Sequence, residues 1–163
     1  MTSTQTVITT VVIERGVMNK LLALGVIAFA IAGQCQLPSS ALGKWTVGKP
    51  YDVGQPVGLD SKQEGAITGL VIKVSATKLI VCGREVPIAS VNVAHLSGSN
   101  FLAKYNFTPN LIGLGDGDIL DINLNKLHST KACGEFADPG THLFISSGHA
   151  VVEVGNDYFH LAK

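Results

Sequence analysis

The sequence predicts an all-β body, a small β-sandwich or barrel of about seven short antiparallel strands, preceded by a secretory signal segment. Three observations predict it. Beyond residue 41 no apolar stripe keeps a helical period for more than a turn or two. Short runs rich in Val, Ile and Leu recur instead, each cut by Gly or Pro. At the carboxyl end, three such runs joined by tight turns share one apolar face, and that agreement across strands is the internal check on register.

The leader comes first in the chain. Residues 18–41, MNKLLALGVIAFAIAGQCQLPSSA, contain thirteen apolar residues in a row at 21–33. A helix of that length covers about 20 Å of a roughly 30 Å hydrocarbon core, so no stable transmembrane span is expected. Lys20 ahead of the run, and small residues with Pro38 behind it, are the flanks of a signal peptide. Three processing points compete. Ser39-Ser40-Ala41 leads to cleavage after Ala41, the expected site; Ala30-Ile31-Ala32 gives a shorter leader. Lipid attachment at Cys35 is the third, although Gln34 replaces the small residue a lipobox wants. An uncleaved anchor or a buried core helix is the alternative to all three. Residues 1–17, rich in Thr and Val, form an extension read as unstructured or as untranslated sequence ahead of a start at Met18. The expected organisation is therefore 1–17, an extension; 18–41, a signal peptide; and 42–163, a single β domain in the periplasm or outside the cell.

Cysteine usage agrees with export. Of Cys35, Cys82 and Cys133, cleavage after Ala41 leaves the last two, and a Cys82–Cys133 disulfide is expected over two buried thiols. Their spacing resembles neither a zinc site nor a Cys-x-x-Cys redox pair. The whole chain has no net formal charge; losing the leader removes Arg15 and Lys20 against Glu14 and leaves one net negative charge. With no basic patch, nucleic-acid binding has no electrostatic support. No basic amphipathic helix offers itself to a membrane surface.

Along the body, residues 42–63 read as an irregular lead-in with one short strand near 44–47. Residues 66–74, AITGLVIKV, read as a strand buried on both faces apart from Lys73. Residues 78–82 and 85–94 read as a hairpin about a type II′ turn at Gly83-Arg84. Pro87 lacks an N–H and marks an edge or bulge, and the apolar phase changes near Ser90, a second sign of a bulge. Residues 96–115 read as loop, with Asn100 capping one helical turn at 101–105. In 119–127, Leu120, Ile122 and Leu124 face inward while Asp121, Asn123 and Asn125 face water. Residues 142–146 and 149–154 form a hairpin about Ser147-Gly148, pairing Ile145 with Ala150 and Leu143 with Val152. A last hairpin turns at 155–157, pairing Val152 with Leu161 and Val154 with Phe159.

That register places His142 opposite Glu153, and Glu153 opposite His160, a His–Glu–His row with ligand types suited to zinc. Its ordinary reading is a solvated charge ladder. Asp116, Asp118 and Asp121 with intervening glycines resemble part of a calcium loop, but Leu120 interrupts the required acids and no glutamate closes it. Gly113, Gly115 and Gly117 precede no helix that could hold an anion. No catalytic residue set assembles. A non-enzymatic binding module acting on a protein partner, of inhibitor or immunity type, is the expected function, with no cofactor required. The alternatives are a metal-assisted hydrolase using His142, Glu153 and His160, and a structural subunit of a surface assembly exchanging an edge strand near Pro87.

Overall fold

The computed structural model describes residues 36–54, 58–129 and 131–163. Residues 1–35, and with them most of the expected leader and Cys35, lie outside the described residues. Among the described residues no helix is long and apolar enough to cross a membrane.

Eight strands close into an up-and-down barrel in which every neighbour is antiparallel and consecutive in sequence. They are β1 (Gly43–Pro50), β2 (Val71–Val74), β3 (Lys78–Val81), β4 (Arg84–Leu96), β5 (Ile119–Lys126), β6 (His142–Ser146), β7 (His149–Val154) and β8 (Asp157–Ala162). β8 returns to pair with β1, so the sheet is a barrel and not a sandwich. Closure follows from strand twist together with short hairpin links. The interior is filled by side chains, among them Ile72, Leu79, Ile122, Leu143, Val152 and Phe159.

Three hairpins share one device. Cys82-Gly83, Ser147-Gly148 and Gly155-Asn156 each have positive φ at both central positions and connect paired residues directly: Val81 to Arg84, Ser146 to His149, and Val154 to Asp157. These are type I′ links, whose backbone twist matches that of the flanking strands. The first corrects the expected Gly83-Arg84 type II′ turn by one position. The third corrects the last register: Val152 pairs with Phe159 and Ala150 with Leu161. A two-residue turn at Gly155-Asn156 replaces the longer one expected. The shift is an even number of residues, so the apolar face survives.

The lead-in is also more regular than its Gly and Pro content implies. β1 runs to Pro50, and a helix α1 (Ser61–Ile67) occupies the start of the expected 66–74 strand. Asp60 and Gln63 form a reciprocal capping box that begins α1, and Ile67 is buried from the helix, so the strand starts only at Val71. Upstream of β1, Leu37 and Ala41 are 6% and 0% exposed within the barrel core, and the Ala41 carbonyl accepts the Trp45 indole N–H at 3.0 Å.

A disulfide joins Cys82 to Cys133 across 51 residues of sequence. It ties the β3–β4 turn to the loop ahead of β6. Buried Asp138 organises that loop: Oδ1 accepts from the Ala132 and Cys133 amides at 2.6 and 2.9 Å, and Oδ2 pairs with Lys126 Nζ at 2.8 Å. Gly140, at φ +98°, lets the same loop lie on Leu79, where any Cβ would come within 2.9 Å of its Cδ1.

The long 97–118 link between β4 and β5 is not an open loop. It holds α2 (Gly98–Tyr105) and a 3-10 turn (Pro109–Ile112). Ser97, not Asn100, caps α2, accepting the Asn100 amide at 3.3 Å. Phe101, Phe107, Ile112 and Leu114 pack with Ile119, Phe144, Val151 and Tyr158 as a second apolar layer on the outer wall of β5 to β8.

Candidate functional site

Within that second layer lies a row of charged groups. Asp121 on β5, His142 on β6 and Glu153 on β7 project outward by strand alternation, onto the wall that the 97–118 segment covers. His142 bridges the carboxylates, with Nε2 2.8 Å from Asp121 Oδ1 and Nδ1 2.6 Å from Glu153 Oε2. α2 reaches in from above: Lys104 Nζ is 2.6 Å from Asp121 Oδ2, and the Tyr105 hydroxyl donates to that same oxygen at 2.7 Å. Asn123 Nδ2 donates to Asp121 Oδ1 at 3.1 Å. The aromatic rings of Phe144 and Tyr105 lie against His142, with centroids 4.5 and 6.2 Å away.

Burial and charge set the protonation states. Asp121 is 1% exposed. Burial works against its ionised form, but hydrogen bonds from His142, Lys104 and Tyr105 outweigh that cost and hold its carboxyl well below the usual range. Burial alone would lower His142; hydrogen bonds to Asp121 and Glu153 instead raise it to about 9. Desolvation, and then the bond to Asp121, push the Tyr105 phenol above its ordinary value. Tyr158 is raised by burial and by the neighbouring carboxylates. At neutral pH the row is an imidazolium between two carboxylates, further balanced by an ammonium. Buried charge of this kind persists only when paired and hydrogen-bonded.

The expected zinc row is only partly assembled. His142 and Glu153 meet, but His160 stands opposite Val151, and Tyr158 takes the place opposite Glu153. Both imidazole nitrogens of His142 face carboxylate oxygens in this arrangement. The expected calcium acids are drawn apart. Asp121 is committed to the buried row, Asp118 pairs with His95 at 2.9 Å, and Asp116 lies 3.4 Å from the Asn110 amide. Among the described residues, no group of three or more His, Cys, Asp or Glu side chains is placed to hold a metal ion.

Strand alternation leads one to expect Asp121 in water, and nothing in the spacing of Lys104 or Tyr105 ties either to it. Their signal is the run FLAKYNF at 101–107, whose aromatics at Phe101, Tyr105 and Phe107 are dense for an exposed loop. As arranged, the row pins α2 to the barrel wall. It offers no general acid or base beside an unengaged nucleophile.

Fold and site together define a disulfide-clamped eight-stranded meander barrel whose outer wall carries an aromatic layer, pinned by buried charge. The chain matches no family model, no curated protein and no solved structure with which it was compared.

Proposed function

We propose that this chain is an exported binding protein that acts on a protein partner, as an inhibitor or immunity-type module, through the outer face of its 97–118 segment. The observation that supports this reading is a rigid, internally braced excursion that still turns two large apolar residues outward, Leu102 at 44% and Leu111 at 48% exposed. A segment anchored by a second apolar layer and a charge row presents such side chains at low entropic cost on binding. Functional surfaces commonly sit on loops held by a rigid scaffold. Affinity capture from the compartment the protein occupies tests it. The wild-type chain should retain a stoichiometric partner that both Leu102→Asp and Leu111→Asp release, with thermal midpoints unchanged. Capture that survives both substitutions sends the search to another surface.

An oxidising compartment is part of this proposal, and the Cys82–Cys133 bond supports it. Cleavage after Ala41 would take Leu37 and Ala41 out of the core and remove the acceptor for the Trp45 indole. Processing after Ala32, or lipidation at Cys35, leaves that end intact, and we place the mature terminus there. Mass spectrometry of the exported protein should place its first residue at or before residue 36. A terminus at Leu42 on a stable, folded product would contradict it.

A further inference from the structure

β4 is thirteen residues long, and its two halves have different strand neighbours. Arg84 to Pro87 pair with β3, while Ser90 to Leu96 pair with β5 alone among the described strands. The barrel wall is low at β2 and β3, four residues each, so the second half of β4 rises past them.

Which backbone groups face the open side follows from the ladder. The Ile88 amide donates to Thr77 and the Pro87 carbonyl accepts from Leu127, so before the bulge even-numbered residues face β3 and odd-numbered residues face β5. The bulge between Ile88 and Ser90 inserts one residue and inverts that parity. On β5, Leu124 donates to Thr141 on the β6 side, so Asn123 and Asn125 face β4, where their partners are Asn92 and Ser90. The N–H and C=O groups of Val91 and Val93 therefore point to the open side. Ser90, Asn92 and Ala94 are exposed there, and Val91 and Val93 are half-buried.

Edges of this kind are ordinarily blunted by charge or proline. Here Arg84, Glu85 and Pro87 all lie in the half already paired, and 89–94 reads ASVNVA with no charge. That run is nearly palindromic about Asn92. Two antiparallel copies related by a two-fold axis at Asn92 set Val91 opposite Val93 of the second copy, and Ser90 opposite Ala94 of the second copy. Val91 and Val93 carry the outward backbone groups, so this register lets them exchange both hydrogen bonds on each side of the axis. Apolar inner side chains meet, and no like charges do.

We propose that the Ser90–Ala94 edge of β4 is a self-association site, where a second copy of this chain adds its own β4 antiparallel about Asn92. This moves the expected edge from Pro87 to the far side of the bulge, and it does not rest on the partner surface at Leu102 and Leu111. The chain as purified from its producing cells should show a concentration-dependent dimer by sedimentation velocity. Asn92→Lys and Asn92→Glu, each setting like charges together at the axis, should weaken it by about tenfold or more, and their equimolar mixture should restore it. Asn92 is exposed, and the melting curves of both variants verify the fold. The Val91 and Val93 amides should gain hydrogen-exchange protection as wild-type concentration rises. A wild-type monomer at every concentration overturns the proposal, as do variants that dimerise like wild type or a mixture that stays apart.

Discussion

Asp121→Ala should cost about 3–5 kcal/mol of folding stability, the range for removing one partner of a buried ion pair. The loss exceeds that of an exposed salt bridge because Asp121 is 1% exposed and its removal takes one hydrogen-bond acceptor from each of His142, Lys104 and Tyr105, leaving the imidazolium with Glu153 alone of its two carboxylates. Lys104 is itself half in water and can recover hydration, so most of the penalty falls on the imidazolium. The linkage has a definite sign. His142 is raised from 6.5 to about 9 on folding, so its contribution is complete below pH 6.5 and is lost as pH climbs through about 9. Asp121 is lowered, so its contribution is present above the ordinary carboxylate value of 3.8 and is lost as pH falls below it. Stability should therefore be greatest between these limits, and the alkaline limb should carry about 3 kcal/mol from His142. Chemical denaturation across pH measures both limbs, and an NMR titration of the His142 ring should place its midpoint near 9. A midpoint close to 6.5, or an alkaline limb unchanged by His142→Gln, would show that the row is not coupled as described.

Removing the Cys82–Cys133 bond by Cys82→Ala with Cys133→Ala should cost about 4 kcal/mol in the chain-entropy account for a separation of 51 residues. The effect acts chiefly on the unfolded chain, whose freedom the cross-link restricts. The folded loop keeps its own anchors, since Asp138 still accepts from the Ala132 and Cys133 amides and pairs with Lys126. The double variant should therefore retain the native circular dichroism spectrum and lose only its resistance to urea. A midpoint within experimental error of the oxidised protein would mean that this constraint contributes nothing to stability.

The all-β character, the strand runs, the bulge near Ser90, the Ser147-Gly148 hairpin and the cysteine pairing are legible in the residues. Each depends on short-range information: a period of two, a turn dipeptide, or the count of sulfurs. The α1 stretch is less legible, because Asp60 and Gln63 form a capping box that outweighs the β-like run from Ala66. So is the last turn, where Gly155 and Asn156 both adopt positive φ, and the shorter link sets His160 away from Glu153.

Asp121 marks the boundary between the two kinds of information. Its alternation with Ile122 correctly puts it on the outer face of β5, and an outer face is ordinarily wet. Whether it stays wet depends on where the 97–118 segment lies, and that is settled by Phe101 and Phe107 packing on Phe144 and Tyr158. Strand period assigns a side chain to a side of the sheet. Only the packing of remote segments decides whether that side meets solvent, and so whether a carboxylate there is a surface charge or the centre of a buried network.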